Sequence, residues 1–131
     1  MSQDRESGQR AVEYGLKTAL RIAQTLGATK TGSPRSNEYK LENRAIVIKC
    51  ARMNTSSVGV SYKMLDRVTA ILGSFEVEKN VYDIYEMNPN VYRGLMTPTH
   101  STGPSAGRVG MVTKSEFGRK GRFLRHINVG Q

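Results

Sequence analysis

The sequence predicts one domain of the α/β class, in which a mixed β-sheet is flanked by helices. Apolar residues recur at spacings of three and four between residues 10 and 27, which is typical of an amphipathic helix. Short apolar or alternating runs, typical of strands, occupy residues 45–48, 68–75, 81–87 and 108–114. Brief helical patterns at 61–68 and 91–96 lie among these runs, and 131 residues suit one core of ordinary size.

The long helix is predicted to follow a polar, frayed start at residues 1–7. It should begin near Arg10 and end at Gly27, a residue type that favours helix C-termini. Glu13 lies near its N-terminal end, at the edge of the apolar stripe. This glutamate is either a surface residue favoured by the helix dipole or part of a metal site.

A carboxylate and a lysine flank the strand predicted at 45–48. The turn-forming segment 29–37 delivers the chain to Glu38, and a polar, hairpin-like segment at 42–44 precedes the strand. Lys49 stands at the end of that strand. The side chains of Glu38 and Lys49 can therefore converge on one metal ion and one phosphate, as in a nuclease.

The order of these features resembles that of the PD-(D/E)XK nucleases. Compact members run from a helix with a glutamate near its start, through a loop, to an acidic residue on one strand, then a turn and a strand ending acid-x-Lys. Residues 8–14 (GQRAVEY) look like the helix opening, residues 36–39 (SNEY) like the first acidic position, and 47–49 (VIK) like the last triplet. Glu38 replaces the usual aspartate. Val47 replaces the second carboxylate, and a valine cannot bind Mg²⁺.

The resemblance implies a restriction-endonuclease-like fold and a metal-dependent endonuclease that hydrolyses phosphodiester bonds in DNA. Glu38 and one further carboxylate would hold Mg²⁺ or Mn²⁺, with Glu13 the first choice for the second ligand and Glu42 the next. Lys49 would stabilise charge on the phosphate or orient the attacking water. Catalysis would then depend on Glu38, Lys49 and Glu13.

The charge of the chain indicates a polyanionic partner. Lys and Arg number 20 against 11 Asp and Glu, which gives a formal charge of +9. The excess is concentrated in the basic segment 108–131, which either contacts nucleic acid or is a solvated tail. An arm over 117–126 is expected to dock partly on the core. The candidate phosphate contacts are Arg52, Arg108, Lys114, Arg119, Lys120, Arg122 and Arg125.

Other site chemistries lack the residues they need. One cysteine, Cys50, permits no intrachain disulfide, and with two histidines it cannot build a usual Cys/His zinc site. The single cysteine fits a reducing, cytoplasmic setting, and the absence of a long apolar run predicts a soluble protein that does not enter membranes.

Two functions therefore stay open. The first is a Mg²⁺-dependent endonuclease that acts on double-stranded DNA as a two-fold homodimer. The second is a non-catalytic nucleic-acid-binding protein on a similar fold, with its active site eroded at Val47.

Overall fold

The computed structural model describes residues 2–33, 36–98 and 108–130, with side chains from residue 13 onward. Its elements are α1 (Ser2–Leu26), β1 (Thr29–Lys30), β2 (Glu38–Leu41), β3 (Arg44–Ala51), β4 (Ser57–Ser61), α2 (Tyr62–Arg67), β5 (Ala70–Glu78), β6 (Val81–Met87), α3 (Pro89–Leu95), β7 (Thr97–Pro98), β8 (Val109–Thr113), α4 (Lys114–Lys120) and β9 (Arg122–Asn128).

Six strands form the large sheet, in the order β1-β2-β3-β5-β6-β9. The sheet is mixed, because β3 and β5 run parallel while β2–β3, β5–β6 and β6–β9 are antiparallel. A smaller sheet has the order β4-β8-β7. The structure thus confirms a single-domain, mixed α/β protein whose sheet is flanked by helices.

The large sheet is covered on both faces. On one, the α1 face, residues from β2, β3, β5 and β6 pack against Ala19, Ile22 and Ala23 of α1; they are Tyr39, Ile46, Ile48, Leu72 and Ile84. The other, the far face, packs against the small sheet and the short helices, and its buried residues are Val47, Ile71, Phe75 and Met87. Alternate residues of β3 therefore serve two separate cores.

Two hairpin turns set the strand register. Glu42 and Asn43 connect β2 to β3 with φ values of 52° and 65°, the left-handed conformations that two-residue hairpin turns require. Asn80 adopts a φ of 65° in the turn between β5 and β6. Asparagine tolerates this region better than most residues, which explains its use at both turns.

Several predicted boundaries need correction. The helix α1 begins at Ser2, so the expectation of a frayed start is wrong for residues 2–7. β3 continues to Ala51, which places Lys49 inside the strand rather than at its end. The strand β4 was not expected, and the predicted C-terminal arm is a helix and a strand, α4 and β9.

The other elements follow the sequence pattern closely. The strand predicted at 81–87 coincides with β6, and the helix predicted at 61–68 corresponds to α2. In the part of the chain that the structure describes, no helix combines the length and apolarity needed to cross a membrane.

Candidate functional site

Glu38 and Lys49 lie on the same face of the large sheet, the far face. Glu38 pairs directly with Val47 across β2 and β3, and Lys49 is two residues further along β3. The pairing extends past the end of β2, since the Ile48 N–H donates to the Asn37 carbonyl at 3.0 Å. As diagonal neighbours, Glu38 and Lys49 are roughly 7–8 Å apart across the two strands, within reach of long side chains.

A hydrogen-bond network fixes the Glu38 carboxylate. Arg67 Nη2, from the end of α2, and the Ser36 hydroxyl each donate to Glu38 Oε1 at 3.0 Å. Ser36 accepts in turn from the Glu38 backbone N–H at 3.2 Å, and Lys30 Nζ donates to the Ser36 carbonyl. The Glu38 side chain is 20% exposed and that of Arg67 is 54% exposed. The carboxylate is thus held in place while still open to solvent.

Lys49 is partly buried, and burial lowers its pKa below the ordinary lysine value. Among the residues that the structure describes, no carboxylate forms an ion pair with it. A desolvated lysine on the same sheet face as a fixed carboxylate is a candidate mark of a functional site.

Val47 stands between the two polar side chains and is fully buried in the core of the far face. Val47 pairs with Glu38 across the two strands, so both side chains face the same side of the sheet. An apolar side chain therefore occupies the position at which the resemblance would place a second carboxylate.

Glu13 and Glu42 lie apart from Glu38. Glu13 is exposed on α1, the helix that covers the opposite side of the sheet, and Glu42 is exposed in the turn at the other end of β2. Across the described side chains, no group of three His, Cys, Asp or Glu residues is placed to hold a metal ion. The structure does not bring the three candidate ligands together.

The candidate phosphate contacts fall into two regions. Arg52 follows β3 and lies over the Tyr14 ring, with its guanidinium carbon 4.1 Å from the ring centroid. Arg108 precedes β8, where its carbonyl accepts the Tyr62 N–H at 2.9 Å, and Lys114 begins α4.

The other four lie along one edge of the large sheet. Arg119 and Lys120 are exposed in the last turn of α4, and Arg122 and Arg125 are exposed on β9. Arg122 also approaches Glu86 at 3.4 Å. This basic edge belongs to two folded elements, the helix α4 and the strand β9.

Arg67 is the site residue that the sequence did not reveal. It lies in a helix that was expected, but its partner Glu38 is 29 residues earlier in the chain. The chain leaves β3, passes through β4 and α2, and returns as β5 parallel to β3. This path brings α2 beside β2. Nothing local to Arg67 signals that contact.

No protein-family model matches the sequence, and a search of curated proteins finds no significant match.

Proposed function

We propose that this protein is a metal-dependent endonuclease that cleaves double-stranded DNA on a restriction-endonuclease-like fold. The observation that carries the proposal is the placement of Glu38 opposite Val47 with Lys49 on the same face. The order α1, β2, turn, β3 also follows the order of features in the PD-(D/E)XK resemblance. The basic edge supplies an electrostatic reason for DNA to bind.

The donor atoms suit magnesium or manganese. Mg²⁺ usually keeps several waters and takes only one or two carboxylates together with substrate phosphates. Glu38 supplies one carboxylate, and the Ser36 hydroxyl lies beside it. When bound, the metal would polarise the scissile phosphate and lower the pKa of an attacking water.

Lys49 and Arg67 supply the positive charge. A phosphate next to Lys49 would favour its protonated form and offset the lowering of its pKa by burial. Partial burial also keeps water from screening that charge, so it would act strongly on the phosphate. Arg67 would turn from Glu38 to the phosphate when a metal takes the carboxylate.

Plasmid cleavage with Mg²⁺ or Mn²⁺, abolished by a chelator, tests the activity. Lys49→Ala should abolish cleavage and leave DNA affinity within a few-fold, because one lysine is a small part of the phosphate contacts. Glu38→Gln should weaken Mn²⁺ binding and cleavage together. The exposed residues Lys40 and Glu78 supply matched controls, Lys40→Ala and Glu78→Gln. Wild-type cleavage by Lys49→Ala would remove this strand from the chemistry.

The second candidate is a nucleic-acid-binding protein without catalysis. It is favoured by the ion pair that occupies Glu38 and by the apolar Val47 opposite it. This candidate predicts DNA binding by the wild-type chain with no cleavage in either metal. Lys49→Ala would then leave every measured property of DNA binding unchanged.

The proposed assembly is a two-fold homodimer, because one site cuts one strand and a duplex presents two related strands. Light scattering measures this directly. The single cysteine suits a reducing compartment, so we place the activity in the cytoplasm.

A further inference from the structure

Phe123 is a large apolar side chain on an open edge of the protein. It lies on β9, the last strand of the large sheet, and is 54% exposed. Its ring meets that of Tyr85 on β6 edge to face, with centroids 5.5 Å apart. Tyr85 packs in the same way on the buried Phe75, at 6.2 Å. A line of aromatic rings thus runs from the core and ends in solvent at Phe123.

The exposure of Phe123 is unusual for an edge strand whose other exposed side chains are polar or basic. Edge strands are usually protected from unwanted pairing by charged side chains, and Arg122, Arg125 and His126 of β9 meet that need. A half-exposed phenylalanine among them works in the opposite direction. The strand therefore presents an aromatic surface to solvent among basic side chains.

The charges around Phe123 favour an anion. Arg119 and Lys120 end α4 directly before β9, and Gly121 lets the chain turn there: a Cβ at that position would lie 2.8 Å from the Glu86 carbonyl oxygen. Arg119 and Lys120 are accordingly held directly before β9 by the backbone. Arg122 and Arg125 pair with Glu86 and Ile84, so their side chains leave β9 on the α1 face, while Phe123 leaves it on the far face.

The carboxylates beside this edge are already paired. Glu86 accepts hydrogen bonds from Arg44 at 3.1 Å and lies near Arg122, and the bond to Arg44 is the main cause of its lowered pKa. Asp83 lies 2.5 Å from the His126 ring nitrogen Nδ1. Glu86 is thereby paired with arginine and Asp83 is hydrogen-bonded to His126, and the four Lys and Arg residues of the edge outnumber these two carboxylates.

We propose that Phe123 and the basic residues Arg119 and Lys120 bind an unpaired strand of DNA, with a base stacked on the Phe123 ring and with Arg122 and Arg125 adding positive charge from the other face of the edge strand. Aromatic rings that accept bases, set among basic groups that follow the backbone, are how proteins bind single strands without reading their sequence. This inference rests on the nucleic-acid partner of the proposed function but not on its hydrolytic chemistry.

The register of the sheet relates this surface to the candidate site. Lys49 pairs with Gly73, Gly73 with Tyr85, and Tyr85 with Phe123, so the four residues form one row across the far face. Three strand spacings separate the ends of the row, or roughly 14 Å. The Phe117 ring covers Gly73 in between. The surface is thus a separate contact, a few nucleotides from Lys49.

Affinity for a single-stranded oligothymidine, measured by fluorescence anisotropy, tests the surface. Phe123→Ala should weaken binding by about 5- to 150-fold, the effect of losing one stacked base. Phe123→Tyr keeps the ring and should bind within about twofold of wild type on the same argument. Leu20→Ala is the matched control, because Leu20 is also exposed, at 42%, but lies on α1.

A tryptophan probe gives an independent readout, since the chain contains no tryptophan. The emission of Phe123→Trp should be quenched when the oligothymidine binds, while that of Leu20→Trp should not change. Thermal unfolding followed by circular dichroism shows that each variant is folded.

Three results would overturn the proposal. The first is unchanged affinity in Phe123→Ala together with no quenching in Phe123→Trp. The second is a Phe123→Ala variant that loses a dimer but not oligothymidine affinity, which would make the surface a contact between copies. The third is tighter binding of the matching RNA strand than of DNA. Absent plasmid cleavage would instead count against the nuclease and leave this surface standing.

Discussion

At the scale of single residues, Lys49 links the candidate site to stability. Its folded-state pKa is lowered, so between that value and the unfolded value of about 10.4 the unfolded chain binds more protons. Stability therefore rises with pH across this window, and the cost of burying the charge is fully present below it. We predict that Lys49→Met raises the free energy of unfolding at neutral pH and that the gain shrinks towards pH 10.

Urea unfolding at several pH values measures this gain. Lys40→Met is the control, since Lys40 is exposed on the neighbouring strand β2. A gain for Lys49→Met that is the same at every pH would show that the ammonium group is solvated in the folded protein.

Arg67 is predicted to compete with metal ions for Glu38. Arg67→Gln removes an exposed ion pair worth about 1 kcal/mol or less, so the fold should be little affected. The same ~1 kcal/mol corresponds to Mn²⁺ binding that is up to about fivefold tighter. Calorimetric titration with Mn²⁺ measures the affinity, and Arg93→Gln, which breaks a different ion pair with Asp66, is the control. Weaker Mn²⁺ binding in Arg67→Gln would contradict the competition.

The sequence predicts the central pair of the site but not its surroundings. Glu38 and Lys49 are close in the chain and belong to one hairpin, so the turn and the alternation of β3 place them on one face. The contact of Glu38 with Arg67 depends on the path of the whole chain. The same is true of Phe123, whose ring is exposed although that of Phe117, six residues earlier, is buried.

At the scale of elements, β9 is predicted to be necessary for folding. Ile127 and Val129 are 4% and 8% exposed in the core beneath α1. Losing their burial costs about 1.5–3 kcal/mol each, and removal of β9 also opens the edge of β6. Since small domains have only about 5–15 kcal/mol of stability, deletion of residues 122–131 should leave the chain unfolded or close to it.

Circular dichroism and urea unfolding check this prediction. The charge variant Arg119→Gln/Lys120→Gln/Arg125→Gln should by contrast fold like wild type, because all three side chains are exposed. A truncated chain that unfolds cooperatively at the wild-type urea concentration would mean that β9 adds little to the sheet.

The elements that the sequence did not predict are short or weakly patterned. In β4, alternation is visible in Val58 and Val60, but Gly59 weakens it. The glycine is needed because a Cβ there would lie 2.7 Å from the Met111 sulfur. The strand that supplies Met111 is about fifty residues away, so no local pattern could indicate the pairing. In β9 the edge position lets basic residues dominate, which hides the alternation of Ile127.

At the scale of the whole molecule, the net charge of +9 is predicted to make DNA binding strongly salt-dependent. Each phosphate neutralised on a duplex contributes a log–log slope of about −0.9. The triple glutamine variant at Arg119, Lys120 and Arg125 should therefore reduce the steepness by up to about 3. Affinity for a duplex between 50 and 300 mM salt measures the slope. An unchanged slope would place the duplex on another surface, and Lys17→Gln/Arg21→Gln on α1 is the control.

Cys50 lies on β3 against the core beneath α1, and burial raises the pKa of its thiol to about 12. A thiol in this state reacts with alkylating reagents very slowly, since only the thiolate is nucleophilic. Its modification should therefore speed up when α1 lifts from the sheet or the chain unfolds. The rate of alkylation at a fixed pH consequently reports on those openings. Arg52 lies over the ring of Tyr14 on α1, so DNA bound at Arg52 would slow the rate. Cys50 thus serves as a built-in chemical probe for the motion of α1.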